Sequence, residues 1–137
     1  FIVVNGDDLY SKTALRKLSQ QSFGVLTMLK DDPSLFGAIV QNDDGHFQRI
    51  HEKPPKDLYP PPVPINIGSY KFTTEVFDYK LKKSARGEYE ITDYVSLSAE
   101  DHTIAVVESP FWLPIGSPRA LDDAQSVDIN QWIPELA

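Results

Sequence analysis

The sequence predicts an α/β fold with a mixed sheet, on three observations. Apolar, β-branched or aromatic runs of strand length recur along the chain, at Phe1–Val4, Phe23–Leu29, Ile65–Phe72 and Thr103–Glu108. Polar capping residues, Ser11, Thr73 and Ser117, open segments of helical spacing between or after those runs. Asn42-Asp43-Asp44-Gly45 joins two further runs, and its Asp-Gly pair marks a hairpin. At 137 residues with 41% hydrophobic content, the chain is the size of one domain and can bury a real core.

Taken in order, Phe1-Ile2-Val3-Val4 has no polar alternation and reads as the interior of a buried strand with neighbours on both faces. Natural domains rarely begin in such a strand, so sequence upstream of Phe1 is expected. Asn5-Gly6-Asp7-Asp8 breaks the run, and a helix capped by Ser11 extends to about Gln20 with Leu15 and Leu18 on one face. Strands follow at Phe23–Leu29, Gly37–Gln41 and His46–Glu52. The stretch Lys53–Pro64 holds six prolines, which suit neither helix nor ladder, and reads as an extended surface loop. After the strand Ile65–Phe72, Thr73 caps a short helix carrying Val76, Phe77 and Leu81. Glu90–Ala99 is a second helical stretch, and Phe111-Trp112 continues or follows the strand Thr103–Glu108. Ser117-Pro118 supplies the cap and first-turn proline of a last helix reaching about Ala124.

Charge and composition exclude several classes of function. A net charge of -7 repels nucleic acid and anionic membrane surfaces, so neither is expected as a partner. The absence of cysteine removes disulfides, thiolate metal sites and cysteine nucleophiles. No apolar run approaches the roughly 20 residues that span a bilayer. The chain reads as soluble and cytoplasmic. His46, His51 and His102 have no metal-like spacing and read as surface residues.

Four clusters carry candidate chemistry. Asp7 and Asp8 follow an apolar strand, where open α/β sheets place ligands; a carboxylate there can hold Mg²⁺ with substrate phosphates, and Asn-Gly-Asp is equally ordinary turn chemistry. Glu52-Lys53-Pro54 leaves a strand for the proline loop; Lys53 can meet a phosphate and Glu52 sugar hydroxyls, or the two form a solvated charge pair. In Asn66-Ile67-Gly68-Ser69-Tyr70, period-two alternation places Asn66, Gly68 and Tyr70 on one face, and a glycine within a strand marks either close approach of a ligand or a bulge. In Arg86-Gly87-Glu88-Tyr89-Glu90, Gly87 permits an unusual turn and Arg86 offers a planar fork for phosphate, while Glu88 and Glu90 suit a helix start.

In their order, these segments resemble the second half of the nucleotidyltransferase family that makes nucleotide sugars, such as the glucose-1-phosphate thymidylyl- and uridylyltransferases. The family's strand ending in Gly-Asp appears as Val4–Asp8, its Asp-Pro-Ser-x-x-Gly segment as Asp32–Gly37 and its Glu-Lys-Pro as Glu52–Pro54. Its Asn-x-Gly-x-Tyr strand is Asn66–Tyr70, its Arg-Gly-Glu-x-Glu-Ile-Thr-Asp signature is Arg86–Asp93, and Phe111–Pro118 stands where the family has tryptophan, a metal-binding aspartate and a glycine-led helix start. The resemblance runs from Phe1 to about Ala124.

The resemblance implies a Rossmann-like mixed sheet and a Mg²⁺-dependent reaction of a nucleoside triphosphate with a sugar-1-phosphate, in a homo-oligomeric parent protein. Asp7 would ligate Mg²⁺, Lys53 and Arg86 would hold the sugar phosphate, and Gly37, Glu52, Asn66, Gly68 and Glu88 would line the sugar. The family's glycine-rich N-terminal loop is not in this sequence, so residues 1–137 are expected to be the C-terminal portion of a catalytic domain and inactive alone. Pro114 takes the position of the second metal-binding aspartate. Either a neighbour such as Asp8 substitutes, or activity is weakened, or the protein is a degenerate relative that binds sugar phosphates or partner subunits in a regulatory role.

Overall fold

The structure, a computed structural model, describes residues 1–128; residues 129–137 of the expected domain lie outside the described residues. Strands β1 (Ile2–Val4) and β2 (Asp8–Tyr10) lead into helix α1 (Lys12–Ser19). Strands β3 (Gly24–Lys30), β4 (Gly37–Gln41), β5 (Phe47–Glu52) and β6 (Val63–Lys71) follow, then a 3-10 turn at Thr74–Asp78 and helix α2 (Ile91–Asp101). The described chain ends with β7 (Ala105–Glu108), β8 (Trp112–Pro114) and α3 (Pro118–Gln125).

The main sheet runs β5-β4-β6-β3-β7, with β1 also paired to β6. β7 is parallel to β3 and the other pairs are antiparallel, so the sheet is mixed, as the sequence predicts. β6 is its spine. Along one edge it takes β3, and along the other it takes β4 at Ile65 and then β1 at Ser69–Lys71. Side chains alternate across this sheet, so Val25 and Tyr70 join the cluster with Val95 of α2, while Leu26, Ile65 and Ile67 pack with Ala14 and Leu18 of α1. A helix therefore covers each face, which explains why β3 lacks the polar alternation of a half-exposed strand. Ser11 caps α1 through its side chain, accepting from the Ala14 amide at 3.4 Å, and Ser117 caps α3 in the same way at 3.1 Å from Ala120.

Several expectations are corrected. Phe1 and Val4 are 46% and 45% exposed, so β1 is a half-covered strand, not a buried interior one. The proline loop ends earlier, because Pro64 lies in β6; near a strand start a missing N–H is tolerated. Thr73 makes no capping bond, and only Val76 of the following turn reaches the core, so one 3-10 turn forms in place of a helix. Phe77, 66% exposed, stacks on Phe1 instead. His51 and His102 are half-buried, the first bonded to the Tyr59 hydroxyl at 2.8 Å and the second stacked on Phe23 at 4.3 Å. Of the two alternatives for Phe111-Trp112, the second holds: Trp112–Pro114 follows β7 as a separate strand, and its partner β2, which the sequence reading did not anticipate, makes a separate ribbon with it.

Candidate functional site

The β2–β8 ribbon fixes the Asp7-Asp8 turn. Asp8 lies opposite Pro114 and Tyr10 opposite Trp112, and the Ile115 amide donates to the Asp7 carbonyl at 2.9 Å. Because Asp7 and Ile115 form a hydrogen-bonded pair, the next pair, Asp8 and Pro114, is a non-hydrogen-bonded one. Pro114 thus costs the ribbon no ladder bond. The same alternation puts Asp8, Tyr10, Trp112 and Pro114 on one face, so Pro114 faces Asp8, and Asp7 stands one residue before it, opposite Ile115. Asp7 is exposed, and a Cβ built on Gly116 would stand 3.1 Å from its Oδ2.

Asp8 is engaged within the protein. Its Oδ2 accepts from Asn5 Nδ2 at 3.2 Å, the Tyr10 hydroxyl at 3.1 Å and Trp112 Nε1 at 3.0 Å. Burial, and then the Asp8 charge, raise the Tyr10 hydroxyl above its ordinary pKa. The phenol also lies 2.9 Å from the Ile67 carbonyl and 3.2 Å from that of Gly68, tying the ribbon to β6.

At that point β6 bulges. Its ladder with β3 shifts register between Val25 and Thr27, and Gly68 has φ 73°, a left-handed angle that favours glycine. The Asn5 side chain occupies the space a Gly68 side chain would need. Next to the bulge, Asn66 Oδ1 accepts from the Gly68 amide at 3.2 Å and Asn66 Nδ2 donates to the Tyr70 hydroxyl at 2.8 Å. Burial, and more weakly the charge of Glu52, raise the Tyr70 pKa, while the Asn66 bond opposes the shift.

Gly37 and Glu52 pair across β4 and β5. A Cβ on Gly37 would stand 2.6 Å from Ile50 Cγ2, 3.0 Å from Glu52 Oε2 and 3.6 Å from Asn66 Cβ, so Gly37, Glu52 and Asn66 form one contact group. At both Gly37 and Gly68, then, the close approach is made by this protein's own side chains. After Glu52, Lys53 takes φ 46°, its amide bonded to the Phe36 carbonyl at 2.9 Å. A left-handed lysine before proline stores strain of about 1 kcal/mol or more.

Glu52 and Lys53 line a cleft of about 610 Å³, a size suited to a small ligand, together with Arg86, Glu90 and Asp93. The 84–88 loop closes on itself through Ser84 N to Glu88 O at 2.8 Å and Gly87 N to Ser84 O at 2.9 Å, with Gly87 at φ 80°. Arg86 Nη2 sits 2.8 Å from Glu90 Oε1 and 3.8 Å from Glu88 Oε2, with 71% of its side chain exposed. The Glu90 hydrogen bond chiefly raises the Arg86 pKa and, reciprocally, lowers that of Glu90.

The structure thus brings Gly37, Glu52 and Asn66 together, places Lys53 and Arg86 on the same cleft as Glu52, and joins Asn66 to Gly68. Glu88 is exposed, with its carboxylate 3.8 Å from Arg86, and Asp7 stands apart on the ribbon, linked to the rest through Asn5 and Gly68. Sequence reasoning missed Tyr10, Trp112 and Glu90 as partners. The signal for Tyr10 was its phenol two residues past Asp8 on a strand face, visible only once β2 is known to be a strand.

The family model described as nucleotidyl transferase matches residues 1–131. A bifunctional sugar-1-phosphate nucleotidylyltransferase/acetyltransferase of Sulfurisphaera tokodaii is 30% identical over 136 residues, covering 96% of this chain and 32% of that protein. The UTP-bound UGPase from Acinetobacter baumannii superposes with a TM-score of 0.68 at 18% identity, over 100% of this chain and 56% of that one. A UDP-glucose pyrophosphorylase complexed with UDP-glucose gives a TM-score of 0.74 at 21% identity, over 96% of this chain and 56% of that one. These two likenesses show the Rossmann-like nucleotidyltransferase fold. The chain spans about a third of the length of the curated relatives it matches.

Proposed function

The chain belongs to the nucleotidyl transferase family, and from that premise we propose that its parent protein transfers a nucleotidyl group from a nucleoside triphosphate to a sugar-1-phosphate, releasing pyrophosphate. The observation that carries this reading is the cleft where Lys53 and Arg86 stand among the carboxylates Glu52, Glu90 and Asp93, with Glu90 paired to Arg86, in a protein of net charge -7. Cations placed in a cleft of an acidic protein favour a phosphate, and the neighbouring carboxylate and amide, Glu52 and Asn66, suit sugar hydroxyls. On this reading the described residues form the sugar-phosphate side of a larger cytoplasmic enzyme. The triphosphate side would lie in the remainder that the curated relatives have, and the present chain alone would not turn over.

The chemistry asks for positioning and charge neutralisation. An oxygen of the sugar phosphate attacks the α-phosphorus in line, the bond from that phosphorus to the bridging oxygen of pyrophosphate breaks, and pyrophosphate leaves. Lys53 and the donors of the Arg86 fork that Glu90 does not occupy hold the attacking phosphate. Glu52 and Asn66 orient the sugar ring, and the Gly37 and Gly68 contacts keep those two side chains in place. Among the described residues no group of three His, Asp or Glu side chains could hold a metal by itself. The exposed Asp7 carboxylate fits Mg²⁺ as one protein ligand alongside substrate phosphates, the usual mode for that ion. Bound there, Mg²⁺ would neutralise charge on the triphosphate.

Pro114 favours a second reading, a degenerate relative that binds sugar phosphates in a regulatory role. Pro114→Asp in the parent protein decides between them. It is expected to raise pyrophosphate release severalfold at limiting magnesium, and to cost up to about 1 kcal/mol of stability, because the new carboxylate faces Asp8 across the ribbon. A magnesium titration superimposing on that of the unmodified protein would sink the second-ligand idea. No pyrophosphate release from either protein supports the regulatory reading.

A further inference from the structure

Three donors from three different segments converge on a single oxygen of Asp8: the Asn5 amide from the turn, the Tyr10 hydroxyl from β2 and the Trp112 indole from β8. Donors aimed at one oxygen keep the carboxylate ionised and fix its orientation, so this oxygen acts as a strut between the three segments. Its partners reach further. Asn5 packs on Gly68, and Tyr10 reaches the carbonyls of Ile67 and Gly68. Gly68 in turn donates to Asn66, 3.2 Å away. Asp7 lies between Asn5 and Asp8, both anchored, and its own carbonyl is bonded to Ile115.

We propose that Asp8 is a positioning residue, holding the Asp7 turn against the β6 bulge so that the metal-bearing and sugar-bearing sides of the site keep one geometry. This rests on the reading of Asp7 and Asn66 given above. The Asp8 carboxylate acts through Asn5, Tyr10 and Trp112 and touches no substrate. Partners that orient a metal ligand typically change metal affinity about 10- to 100-fold when removed.

The test uses the parent protein with Asp8→Ala, Asp8→Asn and Asp7→Ala. Metal binding without turnover is read from Mn²⁺ electron paramagnetic resonance in the presence of triphosphate, the ribbon from the Trp112 indole N–H resonance, and catalysis from the Mg²⁺ dependence of pyrophosphate release. Asp8→Ala is expected to shift the indole resonance and to weaken Mn²⁺ binding and raise the Mg²⁺ requirement about tenfold or more. Asp8→Asn keeps an oxygen for the three donors and is expected to restore both to within about threefold, consistent with the small cost of retaining an acceptor. A purely structural strut would lower the melting temperature and the active fraction while leaving the metal affinities unchanged, and that outcome overturns the proposal. If Asp8→Ala does not fold, Trp112→Phe removes one donor and keeps the carboxylate: weakened Mn²⁺ binding supports the proposal and unchanged binding overturns it. Asp7→Ala separates the two levels. Unchanged metal binding in Asp7→Ala defeats the reading of Asp7 and the proposal with it, whereas loss in Asp7→Ala with no change in Asp8→Ala defeats the proposal alone.

Discussion

Lys53→Ala in the parent protein is expected to raise the KM for sugar-1-phosphate by about 10- to 150-fold, since a charge-assisted hydrogen bond is worth about 1.5 to 3 kcal/mol and each 1.4 kcal/mol is tenfold. The KM for the triphosphate is expected to change by less than about threefold, because Lys53 contacts the attacking phosphate alone on this reading. Arg86→Ala should act in the same direction but near the lower end, for Arg86 is largely exposed and already shares Nη2 with Glu90. Lys53→Gly serves as a control for strain. Glycine accepts the left-handed angle that lysine holds at φ 46°, so it removes the charge while leaving stability within about 1 kcal/mol. Steady-state kinetics with each substrate varied in turn checks all of these. A sugar-phosphate KM unchanged in both alanine variants would remove Lys53 and Arg86 from the site.

Gly68→Ala is expected to destabilise the fold by about 2 to 5 kcal/mol. The left-handed angle at φ 73° costs a side chain about 1 to 2 kcal/mol, and the added methyl meets the Asn5 side chain, an overpacking of about 1 to 3 kcal/mol. Asn5 can move aside only by loosening its bond to Asp8. Out of a typical 5 to 15 kcal/mol, such a loss lowers the denaturant midpoint visibly. Gly6→Ala is the matched control, because nothing lies within 4 Å of a Cβ there, and a change under about 0.5 kcal/mol is expected. Equal midpoints for the two variants would show that the bulge tolerates a side chain.

The elements that sequence displays best are those decided by local chemistry. Ser11 and Ser117 cap where their hydroxyls imply, and the largely apolar run Phe23–Leu29 signals the strand β3. Gly87 takes the left-handed turn its position suggests. What was not legible depends on pairing between distant segments. β2 is too short and polar to signal a strand, and it exists because Trp112–Pro114, roughly a hundred residues on, supplies its partner. The same pairing brings the Trp112 indole to Asp8 Oδ2 and sets Pro114 opposite Asp8. Thr73 illustrates the converse: a good capping residue forms no capping bond when the following turn has one side chain, Val76, to bury. At the site, Asn66 and Gly68 were identified by type, whereas their internal bonds to each other and to Tyr70 required the bulge.

The most direct test of the proposed function is pyrophosphate release by the purified parent protein, with Mg²⁺, each of the common nucleoside triphosphates and a panel of sugar-1-phosphates. Release that requires both substrates together, at about 1 to 1000 per second for the best pair, is the predicted result. Release that proceeds at the same rate without any sugar-1-phosphate, or none with any pair, would contradict the assignment of the Lys53 and Arg86 cleft as the sugar-phosphate side of a nucleotidyl transfer site.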